Sequence, residues 1–259
     1  MRPTPSLAET VAGSRGYASS LALAPHELAR MRFHIELQWR ERLRACEPEH
    51  AEAVIARGIE RYHELSELVD HRALWPKRAR ILPAEAVADL RRTSLARALE
   101  EAYGPFTISG EEGTGGEEVY WRIVRPGHPN DTGPMHADRW FWDLGHGGTP
   151  AGVERIKVWV AVVAESGLSG LRVVPGSHRR EWRYHGEERD GMTKPQIDED
   201  VDTLDLSLVP TGPGDAVVFD DRLLHGGGVG RGRLTRVSFE MTLFVRPDAR
   251  QARDAERPQ

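Results

Sequence analysis

The length, charge and cysteine content of the chain exclude several classes of protein. It has 259 residues, 39% of them hydrophobic, which is enough to build the core of one large domain or two small ones. Its 35 Lys and Arg residues against 40 Asp and Glu residues give a net charge of −5, so no basic surplus indicates a nucleic-acid partner. The single cysteine, Cys46, excludes an intrachain disulfide and a thiolate metal cluster. A metal site would therefore use histidine and carboxylate ligands.

No segment has the pattern of a targeting or membrane-spanning sequence. The apolar run at 17–25 contains two serines and is too short for a secretory signal. No other run approaches the roughly 20 apolar residues that a membrane-spanning helix needs. We therefore expect a soluble, cytoplasmic protein with no membrane partner.

Residues 1–108 are predicted to be helical throughout. Apolar residues recur at helical spacing from Leu28 to Trp39, again from Ile55 to Val69, and again from Ala84 to about Tyr103. Pro25 fits the first turn of a helix, and the Trp75-Pro76 pair interrupts the pattern. This part is expected to pack on a second, β-rich part.

Short β-branched and aromatic runs, separated by turn residues, predict a β core at residues 119–245. The predicted strands are 119–125, 135–141, 156–163, 171–174, 204–209, 216–219 and 234–245. Several short strands with turn signals favour a sandwich or barrel over a parallel sheet. In the last strand the apolar residues alternate with polar ones, and we expect the polar face, Arg236, Ser238, Glu240 and Thr242, to line the barrel interior.

The remaining segments are predicted to lack regular structure. The highly charged stretch 183–203 is a candidate lid, since long irregular loops in compact domains are often functional. Residues 246–259 are expected to form a flexible C-terminal tail. The chain is interpreted as one domain, 1–259.

One group of residues has the spacing of a metal site. His136 and Asp138, two residues apart in a predicted strand, would project from the same face of the sheet. His225, after the strand at 216–219, could supply a third ligand. Two histidines and one carboxylate leave coordination positions open, as in oxygen-activating non-haem Fe(II) sites. The alternative is that His-x-Asp occurs by accident, since the chain has 11 histidines.

Four motifs around these residues give the chain a family resemblance. They are Met135-His-Ala-Asp138, Val158-Trp-Val-Ala161, Gly170-Leu-Arg-Val-Val-Pro-Gly-Ser-His178, and Gly214-Asp-Ala-Val-Val-Phe219 leading to His225. In order and spacing the sequence resembles the phytanoyl-CoA dioxygenase family of Fe(II)- and 2-oxoglutarate-dependent oxygenases. The resemblance implies a double-stranded β-helix, or jelly-roll core of cupin type, flanked by helices. It also implies the cofactor Fe(II) and the cosubstrate 2-oxoglutarate, with O₂ as co-reactant.

The resemblance assigns roles to individual residues. His136, Asp138 and His225 map onto the iron ligands, and Arg236 maps onto the arginine that binds the distal carboxylate of 2-oxoglutarate. Arg233 is the competing arginine, in a turn. Further cosubstrate contacts are expected from Trp159, Ser238 and Arg122, whose alternatives are a core position for Trp159 and a surface position for Arg122. Gly227 stands where many relatives carry a serine that bonds the cosubstrate, and Ser238 or Thr235 could replace that bond.

The expected substrate is a small polar metabolite. Trp140 and Trp142 follow the predicted metal ligands and offer flat faces for stacking. The segments expected to form the rim of the site are rich in acidic residues, namely Glu111, Glu112, Glu117, Glu118, Glu187, Glu188, Asp190, Asp198, Glu199 and Asp200. The alternative is that these acidic residues form an ordinary solvated face and that the tryptophans belong to the core. A negative rim would repel a polyphosphate such as coenzyme A and attract cations. An aminocyclitol, sugar or amino-acid-like natural product is therefore favoured, hydroxylated or oxidatively cyclised while 2-oxoglutarate and O₂ become succinate and CO₂.

Two other functions remain open at this point. A cupin-like metal-dependent isomerase or dioxygenase would use the same three ligands without 2-oxoglutarate. A catalytically silent binding module could keep the fold without the chemistry. The oligomeric state is not indicated by the sequence.

Overall fold

Antiparallel strands form the centre of the molecule and helices cover one side of them. The computed structural model describes residues 4–189 and 191–247. The α-helices are α1 (Leu7–Ala12), α2 (Pro25–Cys46), α3 (Ala51–Arg57), α4 (His71–Leu74), α5 (Ala84–Arg91), α6 (Ser94–Tyr103) and α7 (Asp138–Asp143). The strands are β1 (Tyr17–Ala22), β2 (Phe106–Ile108), β3 (Tyr120–Val124), β4 (Glu154–Val163), β5 (Leu171–Val173), β6 (Tyr184–Arg189), β7 (Met192–Ile197), β8 (Ser207–Leu208), β9 (Asp215–Asp220), β10 (His225–Gly227) and β11 (Arg236–Val245). Short 3-10 helices connect several of these elements.

The strands form a large sheet, a small sheet and a hairpin. The large sheet has the order β1-β9-β4-β11-β2, and β3 also pairs with β11. The small sheet has the order β10-β5-β8, and β6 pairs with β7. All of these pairings are antiparallel. The architecture is that of a jelly roll, as the sequence motifs imply.

Strand β11 separates an apolar side of the large sheet from a polar side, as predicted. Its residues Val237, Phe239 and Met241 are at most 1% exposed and belong to the same apolar cluster as Trp39 of α2. The alternate residues face the interior between the sheets. The helices therefore stabilise the fold from outside, and the polar interior is left for a site.

The N-terminal part is less helical than predicted. Residues 17–22 form β1 at the edge of the large sheet, paired with β9. The sequence has no alternating pattern there, because β1 is an edge strand with an irregular register and exposed residues at its centre. The expected second helix ends at Arg57, where Gly58 adopts a φ of +83°, and 3-10 turns follow. The third predicted helix is divided by Thr93, which caps α6.

Two predictions in the β-rich part are corrected. The predicted strand 135–141 is wrong, because its second half is helix α7. The charged stretch 183–203 is not irregular, because it contains the β6–β7 hairpin, while the predicted strand 204–209 shrinks to β8. The expected flexible tail falls almost wholly on 248–259, outside the described residues. Among the described residues, no helix is long and apolar enough to span a membrane.

Candidate metal and cosubstrate site

The three predicted metal ligands converge in the structure. His136 and His225 form an isolated antiparallel bridge in which each backbone N–H donates to the other's carbonyl oxygen, at 3.0 and 2.9 Å. Asp138 is the first residue of α7. Its Oδ1 lies 3.8 Å from His136 Nε2 and its Oδ2 lies 3.4 Å from His225 Nε2. The expectation that one strand presents His136 and Asp138 is corrected: a backbone bridge and a helix start bring them together.

Backbone carbonyl groups set the orientation of both imidazoles. His136 Nδ1 lies 2.8 Å from the carbonyl oxygen of Pro134, and His225 Nδ1 lies 2.9 Å from that of Leu223. A carbonyl oxygen only accepts, so each Nδ1 carries the proton and donates it. Each Nε2 is then unprotonated and carries a free lone pair, and it lies on the side of the ring that faces Asp138. Metal-binding histidines are commonly fixed in this way.

The charges at the site favour a neutral imidazole and an ionised carboxylate. Burial, together with neighbouring His225, lowers the pKa of His136 to about 4. Burial opposes ionisation of Asp138, but the charge of Lys157 and the two imidazoles outweigh it and hold its pKa below the usual range. These are the protonation states in which both groups bind metals.

The donor set fits one divalent cation. One ligand atom from each of the three side chains lies within 4.8 Å of the other two. Asp138 Oδ2 is buried and has no hydrogen-bond partner, an arrangement that costs free energy unless something else satisfies that oxygen. Two imidazole nitrogens and one carboxylate suit Fe(II) and leave coordination positions open.

Arg236 lies inside the barrel, as expected for a group that binds the cosubstrate. Its side chain is 2% exposed, its guanidinium carbon lies 5.7 Å from the centre of the Trp159 ring, and Nη1 donates to Ser238 Oγ at 3.3 Å. Arg236 Nε is buried without a hydrogen-bond partner. Burial and nearby Arg122 lower the pKa of Arg236 to about 10, so it stays charged at neutral pH. The competing arginine, Arg233, is exposed on a surface turn.

The structure explains why position 227 is a glycine and not the serine found in many relatives. A Cβ there would lie 3.1 Å from Arg236 Nη2 and 3.2 Å from Thr132 Cγ2, so the glycine leaves room for the guanidinium. Ser238 shares the interior with Arg236 and can replace the missing hydroxyl. Thr235 cannot, because its hydroxyl contacts His63 on the helical side, at 2.9 Å.

Arg122 also faces the interior. Its Nε donates to Glu240 Oε1 at 2.9 Å, and the two residues come from the paired strands β3 and β11. Nearby Glu240 raises the pKa of Arg122, and although burial opposes ionisation of Glu240, Arg122 and Lys157 hold its pKa far below the usual range. The Arg122–Glu240 ion pair therefore stays ionised on the wall of the site.

Sequence reasoning missed Lys157. This residue is 6% exposed, its Nζ lies 3.6 Å from Asp138 Oδ2, and it donates to Thr242 Oγ1 at 3.1 Å. Its place in the sequence could have revealed it, because it is two residues before Trp159 on β4 and so shares the interior face of that strand.

The two tryptophans expected to contact substrate lie in packed positions. Trp140 is 5% exposed and its ring stacks on Tyr184 of β6 at a centroid distance of 4.6 Å. Trp142 is half-buried, meets Phe244 edge to face at 5.6 Å, and lies under the guanidinium of Arg155 at 5.4 Å. Trp140 thus attaches the hairpin to α7, and Trp142 lies at the Phe244 end of the interior face of β11.

The acidic residues expected at the rim are mostly paired with cations. Glu111 and Glu112 bind Lys77 at 2.9 and 3.1 Å, and Glu117 binds Arg91. Glu118 is fully buried and accepts four hydrogen bonds, three from its own loop and one from Tyr120 of β3. On the hairpin side, Glu187 binds Arg189, Asp198 binds His185 and Glu199 binds Arg180, while Asp190 lies outside the described residues. The expectation of a strongly negative rim is therefore not supported.

Comparison with known proteins agrees with this geometry. The family model described as "Phytanoyl-CoA dioxygenase (PhyH)" matches residues 22–237. The fold is similar to that of ThoJ, a non-heme monooxygenase, with 17% identity, a TM-score of 0.56, and coverage of 92% of this chain and 77% of that chain. It is also similar to EctD from S. alaskensis, with 18% identity, a TM-score of 0.54, and coverage of 95% and 79%.

A third similar structure is SnoK, a non-heme alpha ketoglutarate dependent carbocyclase from nogalamycin biosynthesis. It is 12% identical, with a TM-score of 0.52 and coverage of 99% of this chain and 92% of that chain. No curated protein sequence significantly matches this chain.

Proposed function

The chain belongs to the phytanoyl-CoA dioxygenase family of Fe(II)- and 2-oxoglutarate-dependent oxygenases, and from this premise we propose that His136, Asp138 and His225 bind the iron and Arg236 binds the cosubstrate. When bound, the iron supplies the activation of O₂ that is coupled to conversion of 2-oxoglutarate to succinate and CO₂. The observation that carries the proposal is the convergence of the three ligands in one barrel interior with a buried arginine.

The chain's own residues bind and orient the reactants. Arg236 presents a planar fork, charged at neutral pH, that can hold a carboxylate by two parallel hydrogen bonds. Trp159 lies beside it and gives the cosubstrate an apolar wall. Ser238 Oγ, the acceptor for Arg236 Nη1, fixes the guanidinium and can also donate its own proton to the cosubstrate carboxylate. Arg236 and Trp159 are themselves buried, and the scarcity of water around them strengthens these electrostatic contacts.

The substrate is proposed to be a small polar metabolite such as an aminocyclitol, sugar or amino-acid-like natural product. The charged side chains of Arg122, Glu240 and Lys157 on the wall of the site support a polar substrate over a long acyl chain. The reaction is hydroxylation or oxidative cyclisation of that substrate. The description of SnoK as a carbocyclase is consistent with cyclisation on this fold.

Anaerobic titration with Fe(II) and 2-oxoglutarate tests the proposal. A visible metal-to-ligand charge-transfer band is expected in the wild type and not in Asp138→Ala. A metal isomerase that does not use 2-oxoglutarate would bind Fe(II) without the band. A silent binding module would bind neither, and either result would contradict the proposal.

A further inference from the structure

Lys157 is a buried cation beside the proposed iron ligands, and the proposed roles of the site residues do not explain it. Its side chain enters the barrel interior from β4, where its Nζ lies 3.6 Å from Asp138 Oδ2 and 3.1 Å from Thr242 Oγ1. The interior is open to solvent here, because the side chains of His136 and Asp138 each keep 15% exposure and that of Glu240 keeps 20%. An ammonium group with three donors therefore lies at the edge of an accessible space.

Once the site is loaded, each carboxylate near Lys157 is shared with another cation. Asp138 gives its negative charge to the metal. Glu240 is bound by Arg122 at 2.9 Å, and Glu111 is bound by Lys77 at 2.9 Å. A divalent metal, Asp138, the dianion of 2-oxoglutarate and Arg236 together sum to zero. Glu240 and Glu111 still attract Lys157, but each is also bound by another cation, so the loaded site keeps one net positive charge close to a dication.

Such a charge is costly unless an anion joins it. Removing an ammonium group from water without a partner costs several kcal/mol, and proximity to a divalent cation adds repulsion. The charges of Lys157 and the bound metal together make the local potential positive. The paired state of the rim carboxylates means that they do not neutralise this potential.

We propose that Lys157 is a substrate-binding residue that anchors an anionic group of the substrate, a carboxylate in the simplest case. This inference rests on the proposed function and narrows it to those polar metabolites that carry an acidic group, such as amino-acid-like compounds. Lys157 lies beside Asp138 and two residues before Trp159 on β4. It would therefore place the anionic group next to the metal and apart from the carboxylate subsite at Arg236.

Acetate is the probe for this subsite. The protein is loaded with Co(II), which is paramagnetic, and with saturating 2-oxoglutarate, so that the Arg236 subsite is filled. Broadening of the acetate methyl proton signal then reports both binding and proximity to the metal. A hydrogen bond to a charged group is worth about 1.5–3 kcal/mol, so Lys157→Met should raise the acetate Kd by about 10- to 100-fold. Lys157→Arg, which keeps the charge, should retain most of the binding.

Controls separate anchoring from a structural role. Arg44→Met removes an exposed cation of α2 that pairs with Glu52, and it should leave acetate binding unchanged. In the wild type itself, neutral acetamide should broaden at least about tenfold less than acetate at equal concentration, a comparison that needs no variant. If Lys157 only positions Asp138, Lys157→Met would weaken Co(II) binding while the acetate Kd stayed constant, and the inference would be wrong.

The two proposals fail in different ways. If the wild type does not bind Co(II), the proposed function fails and this inference falls with it. If Co(II) and 2-oxoglutarate bind but acetate and acetamide broaden equally, or Lys157→Met binds acetate like the wild type, only the anion subsite is overturned.

Discussion

His136 and His225 present their Nε2 atoms to one point because each Nδ1 proton is already committed to a backbone carbonyl oxygen. Rotation of either ring would break that hydrogen bond and leave a buried donor unsatisfied. Asp138, at the start of α7, adds a carboxylate whose Oδ2 has no hydrogen-bond partner. The site is thus arranged before any ion arrives, which lowers the cost of binding one.

Substitution of any one of the three ligands should remove metal-dependent turnover. Changing a residue that merely supports a metal ligand typically costs about 10- to 100-fold in metal affinity, so losing a ligand should cost more than about 100-fold. His136→Ala, Asp138→Ala and His225→Ala can be compared by Fe(II) titration and by 2-oxoglutarate consumption. His26→Ala, at the exposed start of α2, is the matched control. Full activity in any ligand variant would contradict the assignment.

Arg236→Lys should raise the KM for 2-oxoglutarate far more than the KM for substrate. A lysine keeps the charge but replaces the fork with a single point donor. The loss of about one charge-assisted hydrogen bond should raise the KM for 2-oxoglutarate by about 10- to 100-fold. Arg233→Lys, on the exposed turn, should change neither constant by more than about twofold. Steady-state kinetics with 2-oxoglutarate and substrate varied in turn give both constants. If the KM for 2-oxoglutarate rose in Arg233→Lys and not in Arg236→Lys, the role would belong to Arg233.

At the scale of elements, the sequence indicated the ligands but not the way they come together. Residues 135–141 contain aromatic residues that favour a strand, yet in the fold Trp140 must reach the half-buried ring of Tyr184 while Arg139 and Asp143 stay exposed. A short helix satisfies both demands, and an acidic residue in its first turn is favourable. Tertiary packing therefore decided the local structure, as it commonly does for short segments.

Gly16, immediately before β1, is expected to tolerate no side chain. Its φ is +81°, and an added Cβ would lie 2.4 Å from His178 Nδ1 and 2.9 Å from Leu223 Cδ1. Gly16→Ala should therefore lower the free energy of unfolding by about 2–4 kcal/mol, combining the left-handed backbone with overpacking. Gly113→Ala has a similar φ of +69° but open space around it, so it should cost only about 1 kcal/mol. Urea denaturation measures both, and equal losses would show that packing at Gly16 contributes nothing.

Glu118 should make the loop before β3 sensitive to acid. Burial opposes its ionisation, but hydrogen bonds from Glu112 N, Thr114 and the Tyr120 hydroxyl lower its pKa to about 2. Since the folded pKa lies below the unfolded one, this carboxylate contributes stability above about pH 4.5, roughly 3 kcal/mol, and the contribution is lost as pH falls toward 2.

Comparison with Glu118→Gln at several pH values tests this contribution. The variant should be less stable than the wild type at pH 7, and the difference should narrow steadily from pH 5 to pH 3. Chemical denaturation at each pH gives the two free energies of unfolding. A difference that stays constant over this range would show that the ionised form of Glu118 receives no special stabilisation.

At the scale of the whole molecule, the sequence predicted the two-sided character of β11 because polar and apolar residues alternate over the eight residues from Arg236 to Leu243. It did not predict β1 or the β6–β7 hairpin. An exposed edge strand carries no alternating pattern, and the hairpin is defined by its contact with α7 through Trp140 and Tyr184. The interior contacts of Arg122 and Lys157 likewise depend on register between strands that are distant in sequence. Local sequence patterns do not encode this long-range pairing of strands, and the features of the fold that depend on it could not be predicted.

Loading the site should stabilise the whole fold, because the three ligands come from separate segments that the metal ties together. Co(II) at 100 times its Kd should contribute about 2.7 kcal/mol, which corresponds to a rise of about 5–10 °C in Tm for a chain of this length. Addition of 2-oxoglutarate should raise the Tm further only when the metal is present, since one end of the cosubstrate is expected to bind the metal and the other Arg236. Calorimetry of the wild type and Asp138→Ala provides the comparison: the variant should show almost no shift, and an equal shift in both proteins would place the bound metal elsewhere.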